Sequence, residues 1–153
     1  LEPDKIVIGS AAPPVCYPDC YGIDMASLGE LVAFQAAVSF LEKQGKSDLI
    51  HQCATAAEAD LRKADIEMEN RVLPIYQEVG FRNLCNEITE LLTPPGLRPK
   101  FEVVFQTPEN LRACCPGHTG DWYFSGHYPT PGGNRVVNRA LLNFVNHIKR
   151  RAY

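Results

Sequence analysis

The sequence predicts a mostly helical α/β or α+β protein with a small sheet. Three observations carry this. Ile6-Val7-Ile8 is a short continuous run of β-branched residues, which suits a strand covered on both faces. Phe101-Glu102-Val103-Val104-Phe105 is a second β-rich run between breakers. Between and after these runs, apolar residues recur at the three- and four-residue spacing of amphipathic helices.

The first strand is expected from Ile6 to Ala12. Gly9, Ser10, Ala11 and Ala12 are small enough for another backbone to approach closely. Pro13 and Pro14 have no amide proton for a ladder, so the strand must stop there. A turn-rich loop follows and leads to a helix starting near Ser27. Strand, loop and helix in this order make half of a βαβ unit, and in open parallel sheets such loops line the active crevice.

Ser27 and Glu30 have the spacing of a capping box, opening a helix to about Gln44. Leu28, Leu31, Phe34, Ala37, Val38 and Leu41 form its apolar stripe, and Gly45 is a natural terminator. A second helical stretch spans about Ser47 to Glu78. Its charged part, Glu58 to Asn70, is expected to be a solvated face with a Glu58–Arg62 pair. Pro74 should break or kink it near Leu73. Phe81 to Leu92 is a short amphipathic helix with Leu84, Ile88, Leu91 and Leu92 facing one way, stopped by Thr93-Pro94-Pro95-Gly96.

Thr107-Pro108-Glu109 supplies an N-cap, a first-turn proline and a first-turn acid for another short helix. Cys114 to Asn134 holds five glycines and three prolines and is expected to be loop. A last helix should run from Asn134 to about Arg150, burying Val136, Val137, Ala140, Leu141, Phe144, Val145 and Ile148. Lys149, Arg150 and Arg151 would then compensate its dipole.

The chain has 153 residues, enough for one domain, with 45 % hydrophobic and 22 % charged residues. Its net charge of −3 argues against a nucleic-acid or acidic-membrane partner. It contains no apolar run of about 18 residues, as a membrane-spanning helix would need. No charged and apolar leader opens it, so no signal peptide is expected. Six cysteines, irregularly spaced and including an adjacent pair, are expected to be free thiols.

Several constellations invite a chemical reading. Cys16, Cys20, Cys114, Cys115 and His118 are metal-ligating types. Adjacent cysteines are awkward on one tetrahedral ion and no CxxC occurs, so no metal is expected. His51 and Cys53 would point to different helix faces. Cys115 and His118 are loop neighbours with nothing to support a catalytic pair, and small apolar filler is the preferred reading of the cysteines. Gly126 and Pro131-Gly132-Gly133-Asn134 precede a helix and could cradle an anion. Without a GxxxxGK or GxGxxG pattern, a flexible turn is preferred.

The stretch Ser10-Ala11-Ala12-Pro13-Pro14-Val15-Cys16-Tyr17-Pro18-Asp19-Cys20-Tyr21-Gly22-Ile23-Asp24-Met25 resembles the "SAAPP(I/V)-x-x-P-x-x-YGIDM" segment of the glutamine amidophosphoribosyltransferases. Phe124-Ser125-Gly126-His127-Tyr128-Pro129 resembles that family's C-terminal "FTGxYP", with Ser for Thr. The resemblance implies the committed first step of purine synthesis. There, ammonia from glutamine is transferred to phosphoribosyl pyrophosphate, giving phosphoribosylamine, glutamate and pyrophosphate. It also implies a cytoplasmic setting and Mg²⁺ in the parent enzyme.

The family's N-terminal catalytic cysteine, and its two acidic residues before a Gly/Thr-rich loop, have no counterpart here. The resemblance therefore implies the C-terminal part of a longer enzyme. Residues 1–26 would be the last strand and loop of the phosphoribosyltransferase domain. Residues 27–153 would be a helical extension with one further strand near 101–105. Ser10, Ala11, Ala12 and Pro13 would form a wall of the substrate site, with no catalytic, cofactor or metal residue in this chain.

The partners would be the remainder of the parent chain and, through it, phosphoribosyl pyrophosphate and glutamine. Neither nucleic acid nor membrane is expected, and assembly into a homo-oligomer is left open. Iron–sulfur members of the family carry a cysteine just before "FYGID" and a CxxC just before "FTGxYP". Here those positions are Asp19, Gly120 and Tyr123, which places the chain with the cluster-free branch. The alternatives are an independent helical binding or scaffold domain that shares only the strand motif, and a thiol-ligated metal module.

Overall fold

The computed structural model describes residues 2–23, 25, 27–118 and 120–152. Asp24 of the SAAPP-type motif, and the expected division at residue 26, lie outside them. The architecture is mostly helical with one small parallel sheet. Strand β1 (Lys5–Ser10) pairs with β2 (Lys100–Phe105) in register from Lys5–Lys100 to Ser10–Phe105. Between them run α1 (Val32–Lys43), α2 (Asp48–Asp60), α3 (Leu73–Val79) and α4 (Phe81–Leu92). After β2 come α5 (Pro108–Cys114), α6 (Trp122–Ser125) and α7 (Pro131–Val145).

Covering of β1 on both faces is not what the fold shows. Val7 and Ile8 are 51 % and 50 % exposed, and Val104 beside them is 47 % exposed. The cause is topological. Helix α4 lies against β2, where Thr89 Oγ1 accepts from the Val103 N–H at 3.2 Å and closes that outer edge. Among the described residues β1 has β2 as its sole strand partner, so its other edge is open. The strand also ends at Ser10, short of Ala12. Ser10 Oγ donates to the Ala12 carbonyl at 2.8 Å and turns the chain before the prolines.

The core lies among the helices. Phe34, Leu41, Ile75, Ile88, Val137 and Leu141 are fully buried, and Tyr17 joins them from the first loop. Phe34 meets Phe144 edge-on at 4.9 Å, and Tyr17 meets Tyr76 at 5.2 Å. Residues on both sides of the expected division thus contribute to one hydrophobic cluster.

Helix boundaries differ from expectation where tertiary contacts intervene. Ser27 makes no side-chain cap. Leu28–Glu30 form a 3-10 turn instead, and α1 starts after an extended Leu31. Gly45 ends α1 as expected at φ +67°, with the Lys46 N–H donating to the Leu41 carbonyl at 2.8 Å. On α4, Leu84 and Ile88 are buried, but Leu91 and Leu92 are exposed. Glu87 of the same helix is buried and bonded to Ser39 and Lys43 at 2.6 and 2.5 Å.

Thr107 caps α5 as expected, its hydroxyl accepting from the Asn110 N–H at 3.1 Å. The expected loop from Cys114 to Asn134 contains α6 and the first turn of α7. The glycines there permit packing. A Cβ on Gly133 would stand 2.2 Å from Tyr128 Cγ, so this residue is the bed for that ring. At the other end α7 stops at Val145, five residues before the expected Arg150, and Ile148 is exposed.

The expected helix from Ser47 to Glu78 is two helices. The chain leaves α2 at Asp60, passes a 3-10 turn at Asp65–Glu67, and re-enters as α3 with Pro74 in its first turn. Asp60 drives this. It is buried, and it gathers the Arg71 Nε at 2.7 Å, the Lys63 Nζ at 2.5 Å and the Glu69 N–H at 3.3 Å. Asn138 of α7 completes the tie, accepting from the Arg71 N–H and donating to the Glu69 carbonyl. The charged face is solvated at Glu58 and Arg62, but not at Asp60.

The Arg71 bond, opposed by burial and helped by Lys63, holds the Asp60 carboxyl down at about 2 against its usual 3.8. A lowered folded-state value stabilises fully above 3.8, and that contribution is lost as pH falls toward 2. Asp60→Asn is expected to cost about 2 kcal/mol at neutral pH, the range of a hydrogen bond to a charged group. It should also flatten the fall of stability between these pH values. Urea unfolding at several pH values checks both, and an unaltered slope would rule the assignment out.

Candidate functional site

The two motif segments dock on one another. The backbone of Cys16 and Tyr17 donates to the Tyr123 carbonyl at 2.8 and 3.1 Å. The Tyr123 hydroxyl donates to Asp19 Oδ1 at 2.6 Å, across 104 residues of sequence. The Tyr128 hydroxyl donates to the Pro18 carbonyl at 2.5 Å, and Tyr21 and Thr130 share a hydroxyl bond at 3.3 Å. Gly126 sits between them at φ +74°, its carbonyl accepting from the Asn70 side chain at 3.0 Å.

Asp19 is the centre of this junction and is fully buried. Its second oxygen accepts from the N–H groups of Ile23 at 2.7 Å and Tyr21 at 2.8 Å. Burial pushes the carboxyl up. The bonds from Tyr123, Ile23, Tyr21 and Gly22 outweigh that and hold it below its usual value. The reverse holds for Tyr123, whose hydroxyl is pushed up to about 12 by burial and by Asp19. Both groups therefore keep the protonation state that their bond requires at neutral pH.

Two of the three positions where the resembled iron–sulfur enzymes carry thiolates, Asp19 and Tyr123, are thus bonded directly to each other. The third, Gly120, lies against the Trp122 ring. Sequence reasoning marked these positions only for lacking cysteine. It did not foresee Tyr128 and Asn70 as partners, although Tyr128 lies inside the second motif.

Ser10, Ala11, Ala12 and Pro13 lie where β1 enters this junction. Ala11 is exposed, Pro13 is buried, and the Ser10 hydroxyl is engaged with Ala12. The four come together only as a local turn. They offer one hydroxyl and no carboxylate, so no metal ligand is assigned among them.

The six cysteines are free thiols, with Cys16 and Cys53 buried and Cys114 and Cys115 exposed at the end of α5. Burial first, and Cys85 second, push the Cys16 thiol up to about 12, which leaves it protonated and unreactive. Among the described residues no group of three or more His, Cys, Asp or Glu side chains gathers at a metal-holding distance. No described helix is long and apolar enough to cross a membrane. A cavity of about 610 Å³ lies elsewhere, between the Leu28–Glu30 turn and the end of α7.

Comparison of the chain with protein-family models, with curated proteins and with solved structures finds no match.

Proposed function

We infer that this chain is the C-terminal part of a glutamine amidophosphoribosyltransferase, acting in the cytoplasm at the first committed step of purine synthesis. One observation carries the reading. The two stretches that resemble the family, far apart in sequence, are hydrogen-bonded to each other through Tyr128 and Pro18, with the Asp19–Tyr123 bond beside them. A chance likeness of two short motifs has no reason to meet in space. The open edge of β1 adds support. A parallel strand is ordinarily flanked on both sides, and the remaining strands of a phosphoribosyltransferase sheet would fill that place.

On this reading Ser10 to Pro13 form part of the crevice wall at the carboxyl end of β1. Phosphoribosyl pyrophosphate, Mg²⁺ and glutamine are held by the rest of the enzyme. The test is a chimera in which residues 1–153 replace the matching segment of a cluster-free amidophosphoribosyltransferase. The chimera is expected to release glutamate and pyrophosphate in equal amounts, and the isolated chain to release neither. A chimera no more active than one carrying an unrelated helical domain would overturn the reading, as would turnover by the chain alone.

A further inference from the structure

The end of the chain builds a groove that the reading above does not use. Because α7 stops at Val145, Lys149, Arg150 and Arg151 lie beyond its last turn, and compensation of the helix dipole no longer accounts for them. The tail is folded back and fastened. His147 takes the left-handed conformation at φ +55°, and the Ile148 N–H donates to the Asn143 carbonyl at 2.8 Å. The buried Asn143 side chain donates to the Arg150 carbonyl at 3.2 Å, and Ala152 is buried. The basic residues are therefore displayed on a shaped wall.

Opposite this wall is the Leu28–Glu30 turn, and the space between them is the cavity of about 610 Å³. That volume is in the range of small-molecule sites. Phe144 lines it, held edge-on by Phe34. Gly29 leaves room there, since a Cβ would stand 3.2 Å from the Phe144 ring. Ile148, 41 % exposed, adds a second apolar surface. Lys149 and Arg150 also line the cavity, where Glu30 is the one carboxylate among the described lining residues. Lys149 and Arg150 enter no ion pair among the described residues.

We propose that this groove binds a small organic phosphate, its anionic group on Lys149 and Arg150 and its apolar ring against Phe144 and Ile148. Lys149 and Arg150 outnumber the Glu30 carboxylate in the lining, and a phosphate dianion is drawn to the two cations more strongly than a monocarboxylate is. The guanidinium and ammonium groups suit phosphate oxygens, and the Phe144 ring gives an apolar body a place that inorganic phosphate cannot use.

The experiment is an amide NMR titration of the full chain with phenyl phosphate, inorganic phosphate and phenol at low ionic strength. Phenyl phosphate is expected to saturate, moving the amides of Gly29, Phe144, Lys149 and Arg150. It should bind at least about fivefold more tightly than either of its halves, a gap of about 1 kcal/mol. Lys149→Ala with Arg150→Ala should weaken it by about fivefold or more while the spectrum stays native. Glu30→Gln should tighten it about twofold, which no loss of folding can mimic. Absence of saturation by about 10 mM would overturn the proposal. So would unchanged affinity in the double variant, or phenyl phosphate binding no better than inorganic phosphate.

Discussion

Gly126→Ala is expected to destabilise the protein by about 3 kcal/mol, combining a left-handed backbone cost with overpacking. Gly126 stands at φ +74°, and a Cβ there would lie 2.6 Å from Asn70 Nδ2 and 2.7 Å from Tyr17 Cζ. Neither neighbour can move cheaply. Tyr17 is buried in the core, and the Asn70 amide is engaged with the Gly126 carbonyl. Gly96 supplies the control, at φ +77° with open space around it. Alanine at Gly96 should cost only about 1 kcal/mol, the backbone part alone. Equal costs at the two sites in urea unfolding would show that the junction is not tightly packed around Gly126.

Asp19→Ala is expected to cost about 3 kcal/mol, because it removes a buried acceptor and leaves the donors of Tyr21, Ile23 and Tyr123 without it. Tyr123→Phe should cost about 2 kcal/mol, the range of a bond to a charged group. Combined, the two should fall short of additivity by about 1 kcal/mol or more, since the same bond is counted in each. Additive losses would mean that the hydroxyl and the carboxylate do not act as a pair. The pH dependence has a definite sign. A carboxyl held below its usual value stabilises above that value, and its contribution is lost as pH falls through the folded-state value.

Local chemistry was legible in the sequence wherever it acts over a few residues. Thr107 with Pro108 marked the start of α5, Gly45 the end of α1, and Phe81 to Leu92 the whole of α4. The two strands were found from composition, and their parallel pairing fits the expected half of a βαβ unit. Asp60 looked like one charge among many, because only the fold places Arg71, Lys63 and the Glu69 N–H around it. Gly132 and Gly133 looked like a flexible turn, because the ring that packs on Gly133 comes from Tyr128 in the same aromatic-rich stretch. Ile6 to Ile8 looked buried because β-branched runs usually are, and periodicity does not say how many neighbours a strand has.

The junction was half legible. Both of its segments stand out by resemblance, Asp19 inside the first and Tyr123 just before the second. Their direct bond was not foreseeable, because no local pattern joins residues so distant in sequence. The basic tail was misjudged for a simpler reason. Asn146 and His147 end the helix early, and nothing in the apolar spacing of Phe144, Val145 and Ile148 announces it.

The parallel register has a kinetic consequence. Lys5 must wait for Lys100, so a ring containing four helices has to close before the first rung of the ladder exists. Closing such a ring has an entropic cost that helical contacts between near neighbours avoid. The helices can therefore consolidate first. The two strands are expected to zip together late, on the platform that α4 offers through Thr89.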